Sequence, residues 1–310
     1  MALPELTKKA LQSILCEDCQ QKTTDDKQII ACYENHTSFD EEMRLATSRY
    51  FISTSSLDHF FSCVESGTFD KERPRVFSNA HMRYGLIMEE KANYFLTEIL
   101  VEEDRDLLLK KSNRKIMRSC PYIASTADYE LLDRDFRPCK TVEVKTKTLF
   151  SPVRNDKSKF WSVEGMKDFL VNNSMFRKKI PKKIASKFIK ENLIIEYHKQ
   201  NQHQPSVCYL YDCNGNKETE ELALNPINFN HSYFNQALLR AAVDFDIEGR
   251  IVDYEFFFVF PDENGVIRAM VRKKMIFSEE ILKDCISTLS HYCTPFIENP
   301  DNFTRFVKGV

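Results

Sequence analysis

The segment "TVEVKTK" (141–147) decides how this chain is interpreted, because apolar and charged residues alternate along it. Val142 and Val144 alternate with Glu143 and Lys145, and a period of two predicts a β-strand. Alternate side chains of a strand share a face, so the Glu143 and Lys145 side chains lie about 7 Å apart along the backbone. Such a pair is either a surface ion pair worth a few tenths of a kcal/mol or half of a nuclease active site.

The bulk composition is that of an ordinary globular protein. The chain has 310 residues, of which 42% are hydrophobic and 29% charged, and its net charge is −2, so a nucleic-acid partner has to be met by a local basic patch. No glycine-rich nucleotide-binding motif occurs. The N-terminus has no apolar core of signal-peptide length, and no apolar run approaches the ~18 residues of a membrane span. We therefore expect no membrane partner and an intracellular protein, nuclear or cytoplasmic and not secreted, whose ten scattered cysteines are reduced.

The order of predicted elements indicates an α/β domain with a central mixed β-sheet flanked by helices. An amphipathic helix is predicted at 82–100, where Leu86, Ala92, Phe95, Leu96 and Ile99 recur at helical spacing. Further predicted elements are strands at 121–132 and 141–150, a helix at 231–245, strands at 254–260 and 266–272, and a helix at 278–297. The predicted organisation is a helical lead-in at 1–45, a single domain at 46–300 and a tail at 301–310. Within the domain, 151–230 is expected to be a less regular, basic insertion that holds a hairpin at Asn214-Gly215.

Asp128 and Glu143 are candidates for a metal site. Hydrolysis of a phosphodiester needs an activated water, a neutralised phosphate and a stabilised leaving oxygen, and two divalent cations supply all three. The two acids are 15 residues apart on consecutive predicted strands joined by a turn, so they can converge. Lys145 points the same way and can hold or deprotonate the water. The pattern D-x14-E-V-K resembles that of the PD-(D/E)xK nucleases, although the same spacing also occurs in charged proteins without a metal site.

Three further segments resemble the λ-exonuclease or YqaJ viral-recombinase type of alkaline exonuclease. "GLIMEEKA" (85–92) is similar to the GxxxExxA helix, with Glu89 as its acid. "RYFISTSSLDH" (49–59) is similar to the R-x6-S-x-x-H segment, and "HSYFNQALLRA" (231–241) to the Y-x-x-Q helix. Two departures are visible: Leu238 stands where a second glutamine is frequent, and "STADY" around Asp128 lacks the family's Pro and Gly.

The resemblance implies a restriction-endonuclease-like core and a metal-dependent DNA exonuclease that acts on duplex ends, 5′ to 3′, by a two-metal mechanism. It implies one or two Mg²⁺ or Mn²⁺ ions and suggests a single-strand-annealing or recombination protein as a partner. The implied catalytic residues are Asp128, Glu143, Lys145, Glu89 and Gln236. The implied metal ligands are Glu89, Asp128, Glu143 and Val144. The implied residues at the nucleic-acid phosphates are Arg49, Ser56 and Tyr233.

The basic segment "FRKKIPKKIASKFIK" (176–190) is a candidate DNA-binding surface, because cations that neutralise phosphates release counterions. Its candidate contacts are Arg177, Lys178, Lys179, Lys182 and Lys183. The alternative is a solvated helix whose charge only confers solubility. Phe160 and Trp161 could stack on the bases of a frayed strand, or Trp161 could be part of the core.

Two other functions remain open from the sequence. One is a sequence-independent endonuclease, on DNA or RNA, with the same metal site. The other is a non-catalytic nucleic-acid-binding module on this fold. The sequence does not determine the oligomeric state.

Overall fold

The structure is a computed structural model that describes residues 2–15, 19–20, 25–36, 46–71, 80–103, 106–147, 161–176, 187–212, 214–229 and 231–308. The helices are α1 (Glu5–Ile14), α2 (Asp26–His36), α3 (Leu57–Ser66), α4 (Ala80–Glu103), α5 (Val163–Asn172), α6 (Glu191–Asn201), α7 (Ser232–Glu248), α8 (Glu279–Tyr292), α9 (Thr294–Glu298) and α10 (Pro300–Lys308). The strands are β1 (Leu108–Lys111), β2 (Lys115–Ile116), β3 (Ala124–Ser125), β4 (Tyr129–Leu132), β5 (Pro138–Thr146), β6 (Ser206–Tyr211), β7 (Lys217–Leu222), β8 (Asp253–Pro261) and β9 (Ile267–Met275).

The central sheet is mixed, as the sequence predicts. In the described part of the chain its strand order is β1-β4-β5-β8-β9-β6-β7, and β2 and β3 form a separate two-stranded sheet. β5 and β8 pair in parallel, whereas the other neighbours in the large sheet are antiparallel. The fold is therefore α/β, with helices on both faces of the sheet. None of the described helices has the length and apolar composition that crossing a bilayer requires.

Strand β5 lies between α4 and α7. Its apolar and polar side chains alternate, so one helix packs on an apolar face of the strand and the other on a face with polar side chains. Val142 and Val144 belong to an apolar cluster with Leu96 and Ile99 of α4. The opposite face of β5 carries Glu143 and is turned toward α7. The α4 side of β5 is thus apolar, whereas on the α7 side β5 places polar groups inside the main apolar core of the protein.

The stretch 151–230 differs from the expectation of irregular structure. Its described residues include α5, α6 and the hairpin of β6 and β7, and β6 pairs with β9 inside the central sheet. Burial explains the difference, since Cys208, Leu210 and Tyr211 of β6 are buried and need partners from the rest of the chain. This stretch therefore completes the sheet and does not stand outside it.

Most other element predictions are confirmed, with local exceptions. The predicted strand 121–132 is two short strands, because the chain leaves β3 before Asp128 and pairs again from Tyr129. Leu86 of the predicted apolar stripe is 47% exposed, whereas Ala92, Leu96 and Ile99 are buried. Ser56 immediately precedes α3, and its side chain bonds the backbone of Ser53.

Candidate active site

Glu143 and Lys145 lie on the same face of β5 and contact each other. Lys145 Nζ donates to Glu143 Oε1 at 2.5 Å. Gln236, in the second turn of α7, donates its Nε2 to the same oxygen, and Tyr254 Oη donates to Oε2 at 3.4 Å. The Glu143 side chain is only 3% exposed. Its carboxylate is thus held by donors from two strands and one helix.

Asp128 lies just before β4, beside the strand that carries Glu143. Its Oδ2 accepts a hydrogen bond from the backbone N–H of Val144 at 2.6 Å. Its backbone carbonyl accepts from Ser112 N at 3.0 Å. These two bonds join the start of β4 to β5 on one side and to the end of β1 on the other. Asp128 therefore lies close enough to Glu143 for its charge to raise the pKa of Glu143, although the segment "STADY" contains neither Pro nor Gly.

Glu89 reaches the same region from α4. Tyr129 Oη donates to the backbone carbonyl of Glu89 at 3.2 Å, which ties this turn of the helix to β4. Burial, then the charges of Asp128 and Glu143, raise the pKa of Glu89 to about 8, against an opposing contribution from Lys111. The structure therefore brings the three predicted acids close enough to repel one another.

Charge at this site is only partly compensated. Burial first and the Asp128 charge second raise the pKa of Glu143 to about 7, although Lys145 and Arg240 oppose the shift. Burial lowers the pKa of Lys145, but the Glu143 and Asp128 carboxylates outweigh it and raise that pKa above its ordinary value. The lysine is accordingly an ammonium in this arrangement, whereas the raised pKa values of Glu89 and Glu143 show that their surroundings disfavour the ionised carboxylates.

A hard divalent cation suits this set of donors, because Mg²⁺ prefers carboxylate and carbonyl oxygens. The side chains are not already arranged as a cage: among the residues that the structure describes, no group of three or more His, Cys, Asp or Glu side chains could hold a metal ion as it stands. The contacts give the reason. Glu143 Oε1 accepts from Lys145 and Gln236, and Asp128 Oδ2 accepts from Val144 N. In this arrangement those two oxygens already accept hydrogen bonds from the protein.

Tyr233 lies in the first turn of α7 and borders the catalytic lysine candidate. Lys147 Nζ donates to Tyr233 Oη at 3.1 Å and lies 4.7 Å from the centre of its ring. Lys145 Nζ lies 5.7 Å from the same ring. Lys147 was not selected from the sequence, although its period-two spacing from Lys145 was a usable signal.

Two further residues at this site were also missed from the sequence. Tyr254 of β8 is fully buried against Glu143, and Arg240 of α7 is fully buried near it. Tyr254 belongs to a strand that the sequence defines only as apolar. Arg240 follows Gln236 by four residues, and this helical spacing was the available signal.

Arg49 and Ser56, the predicted phosphate-binding residues, lie in the segment that precedes α3. Arg49 Nη2 donates to Tyr50 Oη at 2.8 Å, and these two residues line a cavity of about 330 Å³ with Leu6, Val307 and Lys308. The turn that ends at Ser56 packs against α7, the helix of Gln236. The role of Arg49 and Ser56 at a 5′ phosphate stays a prediction.

The basic segment is only partly visible. Arg177, Lys178, Lys179, Lys182, Lys183 and also Phe160 lie outside the described residues. At its two ends, Phe176, Phe188 and Ile189 are buried in the main core. Trp161 is half-buried and packs against the same core.

Comparison with solved structures finds the same fold in a viral protein. A SOX–DNA complex aligns with a TM-score of 0.62 and 15% identity over 98% of this chain and 81% of that chain. A KSHV SOX–RNA complex gives a TM-score of 0.61 and 15% identity over 98% and 84%. The shutoff and exonuclease protein from Kaposi's sarcoma-associated herpesvirus gives 0.59 and 15% over 90% and 74%.

Sequence comparisons add nothing to this likeness. No protein-family model matches the chain, and no curated protein matches it significantly. At 15% identity the structural likeness shows a shared fold.

Proposed function

We propose that this chain is a divalent-metal-dependent nuclease that hydrolyses DNA phosphodiester bonds from duplex ends, 5′ to 3′. The observation that carries the proposal is the meeting of Glu89, Asp128 and Glu143 beside the amine of Lys145. The fold supports it, because proteins with this fold have been solved with DNA and with RNA. Acids with raised pKa values beside a lysine suit a site that is completed by cations and phosphate.

Each residue has a role that follows from its position. Bound at Glu89, Asp128, Glu143 and the carbonyl of Val144, one or two Mg²⁺ or Mn²⁺ ions would activate water, neutralise the phosphate and stabilise the leaving oxygen. Lys145 orients the attacking water and contributes positive charge near the phosphate. Gln236 keeps the Glu143 carboxylate aligned through the bond to Oε1.

The substrate is held by groups around this centre. Tyr233 and Lys147 lie beyond Lys145 on the same face and offer an aromatic ring and a cation to the nucleic acid. Arg49 and Ser56 bind the 5′ phosphate, since a guanidinium beside a hydroxyl at a helix N-terminus suits an anion. The lysines and arginine of the 176–190 segment contact the duplex backbone.

A digestion assay tests the function and the substrate together. We expect end-labelled linear duplex to be degraded in Mg²⁺ and spared in EDTA. A 5′-phosphorylated duplex should be degraded faster than a 5′-hydroxyl one, and a closed circle should resist. Degradation that is unchanged in EDTA would contradict the proposal of a metal site.

A lysine substitution provides the sharpest residue-level test. Lys145→Met should lower the rate of digestion by about 10²-fold or more, because it removes the group that orients the water. Lys140→Met is the matched control, since Lys140 lies on the same strand and pairs with Glu255 on the other face. Near-normal activity in Lys145→Met would exclude the assigned role.

RNA cleavage is the second candidate, and the likeness to a SOX–RNA complex favours it. The same metal site serves either substrate. An endonuclease should cut a circular DNA or an internal site in structured RNA, and its rate should not depend on whether the 5′ end is phosphorylated.

A non-catalytic module, by contrast, should bind nucleic acid, and Mn²⁺ should produce neither heat of binding nor thermal stabilisation.

A further inference from the structure

Helix α7 presents three polar side chains to the strands of the candidate site. Gln236, Arg240 and Asp244 are spaced by four residues, and this spacing places them on one face of the helix. Gln236 Nε2 donates to Glu143 Oε1. One helical turn after Arg240, Asp244 Oδ2 accepts from Thr141 Oγ1 at 2.8 Å. The helix is thus joined to β5 at two positions, Thr141 and Glu143, on the face that carries the site.

Arg240 holds the neighbouring strand and the chain that leads to Asp128. Its Nη2 donates to Glu130 Oε1 of β4 at 2.5 Å. Its Nη1 donates to the backbone carbonyls of Ser125 at 3.1 Å and Asn113 at 3.2 Å. Ser125 and Glu130 lie on either side of Asp128 in the sequence. One guanidinium therefore fixes the backbone before Asp128 and the strand after it.

Lys115 closes the arrangement into a cluster of two cations and two anions. Its Nζ lies 2.6 Å from Glu130 Oε1 and 2.9 Å from Asp244 Oδ1. Arg240 and Asp244 are 0% exposed, Glu130 is 4% and Lys115 is 8%.

Such a cluster is not explained by stability alone. Removing four charges from water is costly, and replacing a buried ion group with apolar residues of similar volume is often neutral or stabilising. What the charges add is a fixed geometry, since the ion pairs of the cluster are 2.5 to 2.9 Å long and each has a defined partner. The bonds of the cluster end on β2, β3, β4, β5 and α7 and on the carbonyl of Asn113, between β1 and β2.

We infer that the buried Arg240–Asp244–Lys115–Glu130 cluster is a positioning device that sets the relative placement of Asp128, just before β4, and Glu143 on β5. Its four side chains are positioning residues, because their bonds end on the strands and on α7. This inference rests on the proposed function, since it concerns the geometry of the same metal site. It goes beyond that function by assigning a task to residues one layer behind the acids.

Thr141 offers the mildest test, because a single hydroxyl connects the cluster to β5. Thr141→Val removes the donor to Asp244 at almost constant volume, and Thr141→Ser keeps it. In Mg²⁺ digestion of linear duplex we expect Thr141→Val to lose about tenfold in kcat with KM changed less than twofold. Its Mn²⁺ affinity by titration calorimetry should fall by a similar factor, and Thr141→Ser should restore both.

Arg240→Lys tests the cluster directly, because it keeps the positive charge and loses the planar guanidinium that donates to several acceptors at once. Arg272→Lys is the matched control: Arg272 makes two 2.8 Å bonds to buried Glu255 on the opposite face of the sheet. Both variants should lose thermal stability. Arg240→Lys alone should also lose Mn²⁺ affinity and kcat.

The outcomes separate the two claims. An active wild type whose Thr141→Val variant, and whose Arg240→Lys variant if it folds, keep normal kcat and Mn²⁺ affinity would overturn the positioning role and leave the nuclease intact. A wild type that neither binds Mn²⁺ nor cleaves DNA would overturn both. If Arg240→Lys does not fold, the Thr141 pair decides.

Discussion

At the residue scale, the candidate site brings three acidic side chains together in a largely buried position. Glu89 and Glu143 have pKa values raised to about 8 and about 7, first because burial disfavours their charged forms and then because Asp128 is close. Lys145 offsets part of this charge through its contact with Glu143. Ionisable groups with strongly shifted pKa values are frequent at functional sites, and structural ion-pair networks also produce them.

Glu89→Gln should therefore stabilise the protein while it abolishes activity. An acid whose pKa is higher in the folded state binds more protons there, so the free energy of unfolding falls as pH rises from the unfolded value of about 4.5 through the folded value. In the absence of divalent metal, the gain in Tm from Glu89→Gln should be near zero around pH 5 and reach a few degrees around pH 9. Thermal unfolding monitored by circular dichroism measures it.

Glu90→Gln is the control for this prediction, since Glu90 is exposed at the next position of α4. The control should leave both stability and nuclease activity unchanged. A Glu89→Gln variant that is less stable than the wild type at alkaline pH would show that the Glu89 charge is compensated after all.

At the element scale, β5 and α7 form the functional unit. Alternation along β5 could be read from the sequence, and it correctly assigned valines to one face and Glu143 and Lys145 to the other. The contacts of α7 could not be read in the same way. The sequence analysis selected only Gln236, and packing shows that Arg240 and Asp244 on the same face of α7 meet β4 and β5.

The hairpin of β6 and β7 provides a second lesson at this scale. Its turn was predicted from Asn214-Gly215, and Gly215 has a φ of 83°, which favours glycine. Its place in the central sheet was not predicted, because strand pairing between β6 and β9 joins segments about sixty residues apart.

Leu210→Ala tests whether this hairpin belongs to the core. Leu210 is buried in the main apolar cluster, so its truncation should cost about 2–5 kcal/mol of unfolding free energy in urea. Val207→Ala on the same strand is the control and should cost less, since Val207 is only half-buried. Equal and small effects would mean that the hairpin is peripheral.

At the scale of the whole molecule, the distribution of charge determines where nucleic acid can bind. The net charge of −2 produces no general attraction to a polyanion. Binding must therefore come from local cations, and the segment 176–190 contains seven Lys or Arg residues and no acid.

Neutralising Arg177, Lys178, Lys179, Lys182 and Lys183 together with Gln should weaken duplex binding and its salt dependence. The slope of log affinity against log salt should decrease by about 0.9 for each cation that contacts a phosphate. Fluorescence anisotropy between low and moderate salt measures the slope. Changing Lys9 and Lys283, which pair with acids on their own helices, should leave it unaltered.

The sequence by itself determined most of the element types and the mixed α/β class, because these follow from local periodicity. The sequence also selected the three acids and the lysine from motif spacing, and their catalytic role remains a prediction. Its assignment of Arg49, Ser56 and the basic segment to nucleic acid remains a prediction. Only the tertiary structure decided that β6 and β7 complete the sheet and that Tyr254, Lys147 and the Arg240 cluster border the site. The physical reason is that strand pairing and buried ion pairs are chosen among distant segments, by a burial free energy that no local pattern contains.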